Sequence, residues 1–318
     1  MRIGDNRPML AALGHLASFA RFAAARAARE RHDAAVLGEL DAAALSLPRG
    51  LELQWLGTAG YRLRYQGQAL YIDPYLSRVP LRSLLRGAAA MPDAALLARL
   101  LPDEAVAGVL VGHCHFDHAV DAPAIARRFG AKAYGSASLA RLLALHGSPQ
   151  LAVQVEAGRA YELGPYTVRF FPSCHSKLVL GYRVPFDGEL SCEHLDHLAP
   201  GAYRCGQVWA MLIEVAGIRI YHQGSANLID EAVPRGGVDL FLAGIAGRRF
   251  THDYWRRILG RLEPRVVLAS HFDDFFRPIE SAPGFSANVN LAALPEEIGR
   301  VSRDFRVLAP RPLQLLKG

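Results

Sequence analysis

Cysteine is scarce in this chain: Cys114, Cys174, Cys192 and Cys205 are the four in 318 residues. Two of them adjoin histidines, and their number and spacing give no disulfide framework, so a reducing, cytoplasmic setting is expected. No apolar run approaches the roughly twenty residues that cross a bilayer. The stretch from Met9 to Ala20 is broken by His15 and followed by Arg21, Arg26 and Arg29, unlike a secretory leader. Tandem short repeats are absent, and only the alanine-rich segments approach low complexity. Lysine is rare, so the formal net charge of +6 is carried by scattered arginines. Without a basic stretch interleaved with aromatics, nucleic acid is not an expected partner. Hydrophobic residues make up 51% and charged residues 21%, which fits a folded chain and excludes disorder.

Residues 1–46 read as an N-terminal helical extension. Pro8 suits a first helical turn, and Met9, Leu13, Leu16 and Ala20 recur at helical spacing. A second helix is expected from Ala34 to Leu45, ending before Pro48-Arg49-Gly50. The apolar face of the first helix, widened by Phe19 and Phe22, would pack on the main domain or on a second copy, making a homo-oligomer through these helices an expectation. The arginines that interrupt the apolar stripe argue against a membrane anchor.

The main domain, 47–318, opens with strands at Leu51–Leu56, Tyr61–Tyr65 and Ala69–Ile72, separated by glycines. A helical insertion over Leu81–Leu101 follows. The short apolar run Gly108–Val111 then leads into Gly112-His113-Cys114-His115-Phe116-Asp117-His118, and a helix is expected over Asp121–Phe129 with Asp121 as its N-cap. Three imidazoles and a carboxylate thus crowd a strand-to-helix loop. His113 and His115, two apart, can face one ion, while Asp117 and His118 point elsewhere and can hold a second. Imidazole nitrogen and carboxylate oxygen suit zinc, manganese and iron. Zinc is the expected ion, at one or two per chain.

This H-x-H-x-D-H pattern resembles the metallo-β-lactamase superfamily of metal-dependent hydrolases, and the resemblance runs from about Leu51 to the C-terminus. Leu51 to Tyr61 followed by Tyr71-Ile-Asp-Pro-Tyr-Leu-Ser is similar to the branch with ascorbate-6-phosphate lactonase-like and N-acylphosphatidylethanolamine phospholipase D-like proteins. The resemblance implies a four-layer αββα sandwich with the metal loops at one edge. It implies that His175, after the strand Tyr166–Phe171, joins His113 and His115, and that His271, after Arg265–Ser270, joins Asp117 and His118. It also implies that Asp73 orients a ligand imidazole from behind.

One position departs from the family. An aspartate that bridges the ions usually follows the residue matching Gly224, but Ser225 stands there. A neutral hydroxyl is a poor ligand, so either Asp273 or Asp274, with Asn227 a weaker candidate, is expected to substitute, or the second ion binds weakly. His222, Arg248 and Phe275 are expected in the substrate pocket, with Thr251 capping the helix after Arg248. The expected activity is attack by a metal-activated water on an ester, lactone or phosphodiester of a small or lipid-like anionic substrate. Asp117 would orient that water or take its proton. Two alternatives stand beside it: a non-catalytic metal-binding sensor, and an iron-dependent oxidoreductase of the same fold.

Overall fold

A computed structural model describes residues 17, 20–21 and 23–318, apart from 180, 283 and 288. Most of the first helix expected from sequence therefore lies outside the described residues. Helix α1 spans Arg26–Glu39 and gives way to a short turn at Ala42–Ala44. It starts earlier and stops sooner than the expected second helix, and no side chain caps its N-terminal end. Leu37, Ala42 and Leu45 are buried in the main hydrophobic core, and Asp33 accepts from the Ala292 N–H at 2.7 Å.

The first half of the main domain carries β1 (Glu52–Gly57), β2 (Gly60–Tyr65), β3 (Gln68–Ile72), α2 (Leu81–Arg86), α3 (Ala94–Leu100) and β4 (Ala105–Leu110). After the histidine-rich loop come α4 (Phe116–Ala119), α5 (Ala122–Phe129), β5 (Ala133–Gly135), α6 (Ala137–Leu145) and β6 (Ala152–Gln154). The second half carries β7 (Ala160–Leu163), β8 (Tyr166–Ser173), β9 (Val208–Val215), β10 (Ile218–Gln223) and β11 (Val238–Gly244). It finishes with α7 (Tyr254–Leu262), β12 (Pro264–Ser270), α8 (Leu294–Gly299), β13 (Arg306–Leu308) and β14 (Leu315–Lys317).

These strands form two seven-stranded sheets, ordered β14-β1-β2-β3-β4-β5-β6 and β13-β12-β11-β10-β9-β8-β7. Each sheet joins an antiparallel part to a parallel one: β3-β4-β5-β6 and β10-β11-β12-β13 run parallel. Leu53, Trp55, Leu63 and Leu70 of the first sheet share one core with Val168, Phe170, Met211 and Ile213 of the second. On the outer face of the first sheet, Tyr71 and Val109 pack with Ile125, Ala126, Leu139 and Leu142 from the helices. Helix α7 buries Ile258, Leu259 and Leu262. The result is the expected sandwich of helices, two sheets and helices.

Two helix starts differ from expectation. Asp121 occupies the N-cap position of α5 but makes no capping bond; its carboxylate accepts instead from Leu76 N (2.6 Å), Ser77 N (2.9 Å) and the Ser77 hydroxyl. Thr251 donates to Ala226 O at 2.6 Å, and α7 begins after Asp253. In both cases a distant backbone group captured the side chain. Among the described residues no helix is long and apolar enough to cross a membrane.

Candidate metal centre

Four strand ends deliver the polar cluster: His113 to His118 after β4, His175 after β8, Gly224 after β10 and His271 after β12. Ligand atoms of His113, His115 and His175 all lie within 4.8 Å of one another, and so do those of Asp117, His118 and His271. All six residues are buried. The rings of His113 and His118 are 3.9 Å apart, so the two triads stand side by side.

Hydrogen bonds fix which nitrogen of each ring faces the cluster. His115 Nε2 donates to Pro185 O at 2.8 Å, and His175 Nδ1 to Ser176 O at 2.7 Å. Each neutral ring then offers its other nitrogen as a lone pair. His113 Nε2 is buried with no hydrogen-bond partner, an orphan that an ion would satisfy. Burial pushes His113 and His175 well below the ordinary imidazole range and His115 down to about 4. These are neutral donors of the kind zinc takes, and three of them leave a fourth position open. The residues fit the ion.

In the second triad Asp117 Oδ2 lies 3.2 Å from His271 Nε2 and 3.7 Å from His118 Nε2. Burial opposes its charge, but His118 and His271 outweigh that and hold its pKa below the usual carboxylate range. Behind the triad sits Asp73, which is fully buried. Its Oδ2 accepts from His118 Nδ1 at 2.9 Å and His222 Nε2 at 3.0 Å, while Oδ1 accepts from Gly112 N at 2.6 Å. The carboxylate can only accept, so both rings donate and His118 keeps Nε2 free for the cluster. Gly224 permits this approach, since a Cβ there would stand 2.8 Å from Asp73 Oδ2 and 3.0 Å from His118 Cε1.

The structure redirects several residues named from sequence. Asp273 is no substitute bridge: its carboxylate accepts from Thr58 N at 2.9 and 3.1 Å and from Arg78 Nη2 at 2.7 Å. Ser225 Oγ accepts from Ser176 N at 3.0 Å, and Asn227 Nδ2 donates to His175 O at 3.2 Å. His222 is fully buried against Tyr61 and Asp73 and is not among the residues that line the cavity at the two triads. Arg248 borders the cavity, but its guanidinium is bound to Glu297, Val289 O and Asn290 O. Phe275 does line it, 5.6 Å from the His271 ring between centroids. Phe276 stands beside it, as its place next to Phe275 after His271 suggests, and Phe116 packs against both.

Arg78 was not legible in the sequence at all. Asp273, beside His271, thus holds both the chain after β3, through Arg78, and the β1–β2 turn, through Thr58 N, and the His271 N–H donates back to Thr58 O at 2.7 Å. His271, Thr58 and Arg78 all have positive φ (59°, 51° and 45°), a conformation this junction must hold in place. Gly57 is required here: a Cβ would fall 1.7 Å from Arg78 Nη2. Asp273→Asn leaves Arg78 buried without its counter-charge. It should cost about 3–5 kcal/mol of stability, measured by urea denaturation of the metal-free protein.

A model of the beta-lactamase superfamily domain matches residues 52–271. A UPF0173 metal-dependent hydrolase of Anaeromyxobacter dehalogenans is 30% identical over 236 residues, covering 70% of this chain and 75% of that one. Another, from Carboxydothermus hydrogenoformans, is 27% identical over 232 residues, covering 70% and 85%. Among solved structures, CmlA, a diiron beta-hydroxylase from Streptomyces venezuelae, superposes with TM-score 0.53 at 16% identity over 86% of this chain and 55% of its own. A possible metal-dependent hydrolase from Veillonella parvula gives 0.50 at 14% identity, over 86% and 100%. At these identities the two structures speak for the fold alone. The chain belongs to the metallo-β-lactamase superfamily and, within it, to the UPF0173 metal-dependent hydrolases.

Proposed function

We propose that the chain hydrolyses an ester, lactone or phosphodiester bond in an anionic, small or lipid-like substrate, using ions held by the two triads. One observation carries this reading. His115 and His175 from one triad, and Asp117 and His271 from the other, open onto a single cavity of about 830 Å³. Phe116, Phe186, Phe275 and Phe276 form much of its remaining wall.

When bound, an ion here supplies a water that ionises near neutral pH and polarises the oxygen that gains charge. The chain's own side chains do the rest. Asp117, ionised and at the cavity floor, orients the attacking water and accepts its proton. The aromatic wall excludes bulk solvent and seats an acyl or other apolar part of the substrate. Asp73 keeps the His118 ring in one tautomer. The sequence likeness of Leu51–Tyr61 and Tyr71–Ser77 to the lactonase- and phospholipase D-like branch favours a phosphodiester or lactone. Zinc is the ion we assign, and the unpaired thiols accord with a reducing cytoplasm.

The two triads differ in strength. His113, His115 and His175 form a closed set of neutral donors. Asp117, His118 and His271 gain no further carboxylate, because Asp273 is committed to Arg78 and Asp274 to Arg277. Graded chelation should therefore strip the second ion first, and dialysed protein should hold between one and two ions. Two ions leaving together at high chelator would contradict this asymmetry. For the reaction itself, the test is a panel of phosphodiester, ester and lactone substrates with metal-free and zinc-reloaded protein. Turnover of one class that disappears on chelation and returns with zinc is expected. Folded, zinc-loaded protein that turns over none of them would leave a non-catalytic metal-binding role.

A further inference from the structure

Exposed apolar side chains are not scattered over this molecule. Among the described residues, six of the eight large hydrophobic side chains that are exposed lie in two short segments: Leu81, Leu85 and Met91, and Leu178, Val179 and Tyr182. Both segments border the mouth of the same cavity, since Leu81, Leu84 and Leu178 line it. Leu85 is 78% exposed and Tyr182 46%, so they project outward rather than into the cavity. A clustered apolar rim marks an interaction surface, where single exposed leucines would mean nothing.

The charge on the rim narrows the partner. Residues 74–92 and 174–186 contain no aspartate or glutamate, but they carry Arg82, Arg86, Lys177 and Arg183. All four are exposed, and none is ion-paired among the described residues. Leucines and a tyrosine interleaved with unpaired cations are the composition of a surface that enters the headgroup region of an anionic bilayer. A second copy fits less well, because a two-fold contact through this rim would set these cations against their equivalents.

We infer that the rim formed by residues 81–91, 177–179 and 181–183 docks the cavity mouth onto an anionic lipid surface, from which an amphiphilic substrate enters. This rests on the proposed hydrolase reading for its purpose but not for its test. The probe is sedimentation with vesicles of phosphatidylglycerol mixed into phosphatidylcholine, against phosphatidylcholine alone. The zinc-loaded wild type should bind the anionic vesicles at least about tenfold more tightly, and added salt should weaken that binding. The double variant Leu85→Glu/Tyr182→Glu, altered only at outward-facing positions, should lose it by about tenfold or more. Its metal content and its turnover of a soluble ester should match the wild type.

Equal binding to both vesicles, or undiminished binding by the double variant, would overturn the inference. So would a wild-type dimer in analytical ultracentrifugation that the double variant breaks, with no lipid binding by either protein. Vesicle binding without zinc-dependent turnover would instead sink the hydrolase reading and leave this surface standing.

Discussion

Replacing His115 with alanine is expected to remove ion binding at the first triad and lower turnover by roughly 10³-fold or more, since the water loses its acidity. His115 is buried between His113 and His175, with ring centroids 4.8 and 4.6 Å away, and no neighbouring side chain can take its place. The loss should appear in three readouts. Elemental analysis should show the first triad's ion absent, and zinc should raise the melting temperature much less than in the wild type, because that rise is binding energy expressed as stability. Circular dichroism should remain native, since the ring's one hydrogen bond is to a loop carbonyl at Pro185. Persistent zinc-dependent turnover in this variant would mean that the chemistry lies elsewhere.

The second large effect is expected at Asp73→Asn. The wild-type carboxylate accepts three hydrogen bonds, two of them from imidazole N–H groups at Oδ2. An amide has one acceptor oxygen, so one face now presents a donor to a donor. With the amide nitrogen toward the rings, His118 would shift its proton to Nε2, the nitrogen that faces Asp117 and His271; with it toward Gly112, the loop that carries His113 to His118 would move away. Ion affinity at that triad should fall about 10–100-fold, with the His113/His115/His175 triad affected much less. Chelator competition on the two ions separately gives the comparison. A uniform loss at both sites would reduce Asp73 to a folding residue.

Much of this architecture is written locally in the chain. The strands β1, β2 and β3 fall within a residue of where apolar alternation and intervening glycines put them. The loop from His113 to His118 is legible because its donors are adjacent in sequence, so spacing alone limits where they can point. His175 and His271 are legible only through the family resemblance, which implies a ligand after each of those strands; the structure puts their ligand atoms beside the other donors of the two triads.

Pairings between distant segments could not be read in this way. Asp273 stands two residues after His271, yet its carboxylate turns to Arg78, 195 positions earlier. His222 ends a strand as His175 nearly does, but it donates to Asp73 across 149 positions and never reaches the cavity. Arg248 looked free to hold an anion until Glu297 occupied its fork. Periodicity reports which face of an element is buried. It does not report which distant partner a buried polar group will claim, and that choice redirected Asp273, His222 and Arg248. The alanine-rich α1 was obscure for the opposite reason, since a run without caps or strong periodicity does not mark its own ends.

The account stands most directly on elemental analysis of protein purified without added metal, repeated after zinc addition and dialysis. It predicts between one and two ions per folded chain, falling to less than one in His115→Ala. Folded wild-type protein that holds no divalent ion even after zinc addition would contradict it.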